Sequence, residues 1–369
     1  MTTTYDCIVV GGGLVGGAIA WGLARQGAKV ALLDEGDIAF RAARGNFGLV
    51  WVQSKGANMP AYAQWTRRSA ELWPELSSAL ADATGADVGL RQNGGLAFCL
   101  SDEDLQRRAA LIERMHNQTG SIGTRIVDRA ELRAMVPGIG DAVVGAAYCP
   151  KDGHANPLIT LRALQQSLLA LGGHYLPNRS VDRIDAAPHD FTLHCGAETL
   201  HASKVVIAAG LGSATLAPMV GLDMPVKPLR GQIMVTERMA PFLTYATHTV
   251  RQTVEGSVML GDSQEDVGLD VSTSAHVMQE IAARNLKAFP RLADATVVRV
   301  WAALRVMTPD GHPIYEQSDR FPGAFSATCH SGVTLAGAHA LALAPAILAG
   351  ALPASFNSFS PRRFHVQAT

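Results

Sequence analysis

Apolar and polar positions near the start of the chain predict a strand, a helix and a second strand. Residues 8–10 form an apolar run, which is typical of a buried parallel strand. Apolar positions at helical spacing follow as far as Gly27, and a second apolar run at residues 30–33 ends at Asp34. This order predicts a strand–helix–strand unit in which the two strands are parallel.

The turn between the first strand and the helix carries glycines with the spacing G-x-G-x-x-G. Gly11 permits the tight turn, Gly13 lets the backbone approach a pyrophosphate, and Gly16 lets the helix pack closely on the strand. The helix start offers free N–H groups and a positive dipole to phosphate, and Asp34 is placed to accept hydrogen bonds from ribose hydroxyls. The motif predicts a dinucleotide site without separating FAD from NAD; the alternative is a glycine turn that holds no ligand.

The rest of the chain alternates between helical and strand patterns. Residues 57–84 look helical, with Pro74 marking a kink or break. An Asn-Gly-Gly sequence between apolar runs predicts a hairpin over residues 88–100. Residues 174–207 and 223–260 are predicted to form strands.

Two later segments affect the choice of ligand and compartment. The loop at residues 210–215 starts like a second nucleotide loop but lacks the third glycine, so no second nucleotide site is predicted. The apolar stretch at residues 333–350 approaches membrane-span length. It contains His339 and Pro345, and we interpret it as a buried core helix and predict no transmembrane segment.

Composition predicts a folded protein with a large core. The chain has 369 residues, 48% of them hydrophobic and 17% charged, enough for two lobes. No Gly/Ser linker separates the lobes, so we expect them to be interleaved. A net charge of −1 without a basic stretch argues against a nucleic-acid partner.

Cysteine usage predicts a reducing, cytoplasmic location and no metal site. The five cysteines are scattered and form no C-x-x-C motif, which does not fit a disulfide framework. No signal peptide is predicted. Cys149, Asp152 and His154 lie near each other, but their spacing matches no metal-binding template.

Taken together, these motifs resemble the D-amino-acid oxidase superfamily of flavoproteins, which includes glycine oxidase and sarcosine oxidase. Besides the glycine motif and Asp34, the resemblance rests on Val205 to Gly210, Pro-Leu-Arg-Gly-Gln at 228–232, Leu304 to Gly311 and Ser331-Gly332. The segments at 46–53 and 329–334 are most similar to the beta subunits of opine and D-hydroxyproline dehydrogenases.

The resemblance implies FAD and a mixed fold, α/β locally and α+β overall. A Rossmann-like FAD-binding domain, made of residues 1–85, 148–222 and 303–369, would be interleaved with an antiparallel-sheet substrate-binding domain, made of residues 86–147 and 223–302. Some relatives attach flavin through a cysteine shortly before the Thr-Pro-Asp turn; residues 301–305 contain none, so we expect the FAD to be bound non-covalently.

The activity implied is oxidation of the C–N bond of an amino acid or N-substituted amino acid, such as D-hydroxyproline, an opine or sarcosine. Hydride passes to flavin N5 and the imine product is hydrolysed. Two alternatives stay open: an oxygen-using glycine or D-amino-acid oxidase, and a non-catalytic flavoprotein subunit that relays electrons. The expected partners are an amino-acid-type substrate and either an electron-accepting subunit or a second copy of the chain.

The cofactor-binding candidates cluster at the glycine turn, at the loops that follow other strands and at the start of the last helix. There, free N–H groups are expected to stabilise negative charge on the reduced flavin. The candidates are Gly11, Gly13, Leu14, Val15, Gly16, Asp34, Glu35, Ala42, Ala43, Asn46, Gly48, Val181, Ala209, Gly210, Ser331, Gly332, Val333 and Thr334.

Four residues are candidates for the catalytic site. Arg305 either grips the substrate carboxylate, as the resemblance implies, or forms a structural ion pair with Asp310. His330 stands where glycine oxidases commonly carry an arginine, so it either contacts substrate or is an ordinary core histidine. Alternation puts His248 and Arg251 on opposite faces of a strand; one of these faces lines the substrate pocket, or the strand simply faces solvent.

Overall fold

The computed structural model describes residues 4–36 and 42–365. The strands in chain order are β1 Thr4–Tyr5, β2 Cys7–Val10, β3 Val30–Asp34, β4 Leu49–Val50, β5 Gly95–Cys99, β6 Arg125–Asp128, β7 Gly145–Cys149, β8 Gly153–His154, β9 His174–Pro177, β10 Arg183–Ala187, β11 Asp190–Cys195, β12 Glu198–Ala202, β13 Val205–Ile207, β14 Lys227–Arg238, β15 Ala246–Thr247, β16 Val250–Gln252, β17 Ser257–Leu260, β18 Val297–Met307, β19 Ile314–Gln317 and β20 Ala324–Thr328. The helices are α1 Leu14–Arg25, α2 Pro60–Thr84, α3 Asp102–Thr119, α4 Arg129–Met135, α5 Pro157–Ala170, α6 Ser213–Leu216, α7 Ala275–Ala288, α8 Gly332–Ala338 and α9 Ala344–Ala349.

The predicted strand–helix–strand unit forms the middle of a six-stranded sheet. Its order is β19-β20-β13-β2-β3-β9, and every neighbouring pair is parallel except β19 with β20. All residues of β2 and β3 are buried, which explains their unbroken apolar runs. The carboxyl ends of β2, β3, β13 and β20 therefore share one edge, the usual place for a ligand in such sheets.

The other described strands form three four-stranded sheets and the two-stranded pair β4-β8. A four-stranded sheet runs β1-β12-β11-β10, another runs β16-β17-β14-β18, and a third runs β15-β5-β7-β6. The long antiparallel pair β14–β18 aligns Leu229 with Arg305. The predicted division into two interleaved domains stays a prediction; its boundaries at 148 and 303 fall inside β7 and β18, and residues 1–3 and 366–369 lie outside the described part of the chain.

A long apolar helix at the C-terminal end packs inside the protein. A π-helical turn at His339–Leu343 joins α8 to α9, so that Gly332–Ala349 is the one helix among the described residues with the length and composition to cross a membrane. In the structure 61% of it is buried. Trp73 of α2 donates to the Val333 carbonyl at 3.0 Å, and α2 continues through Pro74 without a break. The stretch is a core helix, as its histidine and proline suggested.

The hairpin predicted over residues 88–100 is wrong. Only β5 forms there, and it pairs with β7 and β15. The backbone before β5 bonds elsewhere: Val88 accepts from the Asn156 amide at 2.8 Å, and Arg91 donates to His154 at 2.9 Å. Distant backbone partners therefore replaced the local pairing that the Asn-Gly-Gly turn suggested.

All five cysteines are free and buried. They lie in different parts of the core: Cys7 in β2, Cys99 in β5, Cys149 in β7, Cys195 in β11 and Cys329 just after β20. Burial raises the pKa of the Cys7 and Cys329 thiols to about 12. At neutral pH these thiols are protonated and behave as small apolar groups.

Candidate functional site

The glycine turn after β2 is shaped by contacts that exclude side chains. Gly11 has a φ of +111°, and a Cβ there would lie 2.3 Å from the Ala208 carbonyl oxygen. A Cβ at Gly16 would lie 1.9 Å from the Gly11 oxygen. The first and third glycines thus let β2, β13 and α1 approach each other, the role that their spacing predicted for Gly16.

Gly13 meets a cavity instead of protein. A Cβ at this position would have no atom within 4 Å, and Gly13 lines a cavity of about 260 Å³. Asp34, only 6% exposed, stands at the same cavity. Its Oδ2 accepts from the Gly12 amide and its Oδ1 from the Gly36 amide, each at 2.9 Å. A bare backbone turn, a helix start and a buried carboxylate form a donor and acceptor set that fits a dinucleotide.

Most predicted cofactor residues meet at this cavity. Those that line it are Gly11, Gly13, Leu14, Val15, Asp34, Glu35, Ala42, Ala43, Asn46, Val181, Ala209, Gly210 and Gly332. Gly16 and Gly48 lie outside its wall; a Cβ at Gly48 would lie 2.5 Å from the Ala155 oxygen, so this glycine allows a close backbone approach. The lining also includes Thr215, from the loop at 210–215, and Arg179 and Ser180, which no sequence motif marked.

A second cavity adjoins the first. It measures about 370 Å³ and contains Arg305, His330 and His248. Ser331, Val333 and Thr334, predicted to contact the cofactor, lie in its wall instead of the first cavity's wall. Ala42, Asn46 and His330 line both cavities, so ligands in the two spaces would share these residues as neighbours.

Arg305 is held from several sides. Its Nη2 pairs with Asp262 Oδ2 at 2.6 Å, and its Nη1 donates to the Ser263 carbonyl at 2.8 Å. The sequence had offered Asp310 as the ion-pair partner, but Asp310 pairs with Arg363 at 2.8 Å. A Cβ at Gly231 would lie 2.4 Å from Arg305 Nη1, so glycine in the Pro-Leu-Arg-Gly-Gln motif makes room for the guanidinium.

The other residues of this motif brace the loop that carries Asp262. Arg230 is 6% exposed and pairs with Glu265 at 2.6 Å and with Asp270. Gln232 donates from Nε2 to Glu265 Oε1 at 2.9 Å. Buried charges in proteins are normally paired in this way, and the network fixes the segment that faces Arg305.

The two cavity histidines are uncharged at neutral pH. Burial, reinforced by the nearby cations Lys55 and Arg305, lowers the pKa of His330 well below its usual value. Burial also lowers the pKa of His248 to about 4. His248 lies between β15 and β16, not within a strand. Both imidazoles can exchange single hydrogen bonds with a ligand, but neither supplies a positive charge.

Arg251 does not join this group. It lines a separate cavity beside His154 and Asn156. The ring of Phe47, which lines the cavity of Arg305, has its centre 6.0 Å from the guanidinium carbon of Arg251. Arg251 is 4% exposed, and burial lowers its pKa to about 10. The prediction that His248 and Arg251 lie on one strand is wrong, because His248 precedes β16. Of the two residues, His248 lines the cavity of Arg305 and Arg251 lines the separate cavity.

Sequence reasoning missed Lys55, which lines the cavity of Arg305. Burial lowers the pKa of Lys55 to about 8. Asp152 holds the preceding turn: its Oδ1 accepts from the Val52 and Gln53 amides at 2.5 and 3.2 Å. Burial raises the pKa of Asp152 to about 7. The available signal in the sequence was a lone lysine three residues after the apolar run 49–52.

The wall between the cavities is tied to α8 by side chains. Thr334 Oγ1 accepts from the Trp51 amide and donates to the Leu49 carbonyl, both at 3.1 Å. Ser331 accepts from the Tyr62 hydroxyl at 3.0 Å.

Within residues 4–36 and 42–365, no group of three metal-binding side chains comes together.

Comparisons with known proteins agree on one family. The family described as "FAD dependent oxidoreductase" matches residues 6–346. One of the subunits of opine oxidase from Rhizobium meliloti is 45% identical over 364 residues, which cover 98% of each chain.

Solved structures of this family share the fold. Glycine oxidase from Geobacillus kaustophilus superposes with a TM-score of 0.85 at 25% identity, covering 96% of both chains. L-proline dehydrogenase from P. horikoshii gives a TM-score of 0.86 at 20% identity, covering 99% of both. The mixed α/β fold with a Rossmann-like part and the FAD implied by the resemblance are thereby confirmed.

Proposed function

The chain belongs to the FAD-dependent oxidoreductase family, and we propose that it oxidises the C–N bond of an amino acid or N-substituted amino acid. FAD would occupy the glycine-lined cavity and the substrate the cavity of Arg305. The observation that carries this proposal is the shared wall: Ala42, Asn46 and His330 face both spaces. At these residues, therefore, no further layer of protein would separate a substrate beside Arg305 from the cofactor cavity.

Among possible substrates, N-substituted amino acids are favoured. The relative that is 45% identical is named for opine oxidation. The arginine that glycine oxidases commonly carry at the position of His330 is absent here, which weighs against glycine as the substrate. Arg305 would bind the carboxylate next to the carbon that is oxidised, with its planar fork matched to a carboxylate.

The residues of the cavity would bind the substrate and exclude water. When bound, FAD supplies the acceptor for the hydride of that carbon. Arg305 Nη2 is held by Asp262 at 2.6 Å, so a substrate carboxylate competes with Asp262 for this donor. Neutral His330 is able to accept a hydrogen bond from the substrate amine. Trp51 and Ile233 contribute apolar side chains to the wall of this cavity.

We further propose that electrons leave the flavin to a partner subunit. Two relatives that are 45% and 44% identical are each named as one subunit of an opine oxidase. The Gly210–Gly212 turn lies in the wall of the FAD cavity and gives no sign of a separate NAD site. The alternative is a free-standing oxidase, favoured by the likeness to glycine oxidase structures. Stopped-flow reoxidation separates the two: rapid reoxidation by air with stoichiometric peroxide would exclude the partner.

Anaerobic reduction of the bound flavin tests the reaction itself. The purified yellow protein is mixed without oxygen with D-proline, D-hydroxyproline, sarcosine, glycine and a set of opines, and the flavin absorbance is followed. Bleaching by one class, with a carbonyl product after hydrolysis, is the expected result. A flavin that dithionite bleaches but none of these compounds reduces would favour the electron-relay role. Acid precipitation of the same sample should release the FAD, since residues 301–305 contain no cysteine.

A further inference from the structure

Lys55 is a positive charge in the cavity of Arg305 without a carboxylate of its own. Asp262, which shares this cavity, is engaged by Arg305 at 2.6 Å. Asp152 is buried behind the turn and receives hydrogen bonds from Val52 and Gln53. In the part of the chain that the structure describes, no carboxylate lies within ion-pair distance of the Lys55 ammonium.

The turn that carries Lys55 is fixed in an unusual conformation. Ser54 has a φ of 68°, in the left-handed region that residues other than glycine seldom adopt. The Lys55 amide donates to the Val52 carbonyl at 3.1 Å, and Gln53 Nε2 donates to Asp152 Oδ2 at 2.7 Å. Buried bonds on both sides of Ser54 therefore hold the backbone that places Lys55 in the cavity wall.

We propose that Lys55 is the specificity-determining residue that binds a second substrate carboxylate. Arg305 would take the carboxylate beside the oxidised carbon, and Lys55 the carboxylate on the other substituent of the nitrogen. Lys55 is partly exposed in this cavity. A partly desolvated ammonium is stabilised by a nearby anion, and a secondary amine bearing two carboxylates supplies that anion. This inference rests on the proposed function. It adds the residue that discriminates substrates with two carboxylates from amino acids with one.

Binding of analogues that cannot be oxidised at a C–N bond tests this directly. Thiodiacetate has sulfur in place of the bridging nitrogen and carries two carboxylates; (methylthio)acetate carries one. Each is titrated into the FAD-loaded protein by calorimetry, with the flavin spectrum as a second readout. Lys55→Met is expected to weaken thiodiacetate binding at least about tenfold and to change (methylthio)acetate binding less than about twofold. Lys55→Arg is expected to retain most of the thiodiacetate affinity.

Lys287→Met is the matched control, because it removes the same charge from the exposed side of α7. An equal loss for both ligands in Lys55→Met, or no loss for either, would overturn the role of Lys55. So would wild-type protein that binds the two ligands with equal affinity.

The proposed function has its own readout. Suppose that amino compounds bleach the flavin, but that Lys55→Met leaves kcat/KM unchanged both for substrates with one carboxylate and for substrates with two. Only the role of Lys55 is then refuted. If no amino compound bleaches the flavin, while thiodiacetate still binds through Lys55, the reaction is refuted and the anion site stands.

Discussion

The two adjoining cavities are built in different ways. The proposed cofactor cavity is framed by main chain, with Gly11, Gly13 and Gly210 in the turns that follow strands of one largely parallel sheet. The proposed substrate cavity is framed by side chains from distant parts of the sequence, among them Lys55, His248 and Arg305. A surface made of backbone depends on where side chains are excluded, which spacing in the sequence reveals. A surface made of side chains depends on tertiary placement, which spacing in the sequence does not reveal.

The largest effect should come from placing a side chain where the backbone surface forbids one. Gly11→Ala forces a φ of +111° and a contact of 2.3 Å with the Ala208 oxygen, so we expect a loss of about 3 kcal/mol or more in the free energy of unfolding and no FAD retained on purification. Gly13→Ala is the matched variant, because its Cβ meets no protein atom within 4 Å.

Gly13→Ala should leave the Tm of the apoprotein within a few degrees while weakening FAD binding about tenfold or more. Thermal melts of apoprotein and fluorescence titration with FAD give the two quantities. Equal destabilisation of both apoproteins would show that the cavity wall at Gly13 is packed and not open.

Arg305→Ala should lower kcat/KM, because a charge-assisted contact to the substrate carboxylate is lost. The fall should correspond to a loss of about 2–4 kcal/mol of transition-state stabilisation. FAD should remain bound. Arg305→Lys should not restore full activity, since an ammonium lacks the planar fork. The exposed Arg299 of the same strand gives the control Arg299→Ala. Near-normal kcat/KM in Arg305→Ala would assign Arg305 to the ion pair with Asp262 alone.

The pH dependence of dicarboxylate binding should follow Lys55. Since its pKa is lowered to about 8, a free Lys55 is charged below that pH and loses its charge as pH rises through it. Thiodiacetate affinity should therefore be constant below pH 8 and fall by up to about tenfold per pH unit above it. The charged and titratable groups near Lys55 are Cys329, Arg305, Asp152, Asp262, His330 and His312.

Calorimetric titrations of wild type and Lys55→Arg, from about pH 6.5 to about pH 9.5, isolate the lysine. The neighbours titrate in both proteins, including Asp152 with its pKa of about 7, so the difference between the two profiles belongs to position 55. Superimposable profiles would remove Lys55 from the binding site.

The smallest effect should come from Arg251, which lies behind the substrate cavity. Its Nε has no hydrogen-bond partner among the described residues, and its Nη2 contacts Met259 Sδ at 2.7 Å. Replacing a buried unpaired charge by a side chain of similar length is often neutral or stabilising. Arg251→Met should change the free energy of unfolding by less than about 1 kcal/mol and kcat/KM by less than about threefold. A tenfold fall in kcat/KM would place Arg251 in the reaction.

The same distinction explains which predictions succeeded. The strand, glycine turn and helix from Cys7 to Arg25 follow from local patterns. Lys55 was not predicted because its position depends on the left-handed Ser54 and on Asp152, far along the chain. Alternation assigned Arg251 to a face of a strand but gave no information on what lies beyond that face.

The five buried thiols make the protein its own probe of local opening. Each reacts with an alkylating reagent only when the layer around it opens, so a labelling rate reports the free energy of that opening. Cys329 lines the proposed FAD cavity, whereas Cys99 lies in the sheet of β5. Loading with FAD should therefore slow the labelling of Cys329 far more than that of Cys99, and mass spectrometry of each peptide would map how far the rigidity conferred by the cofactor extends.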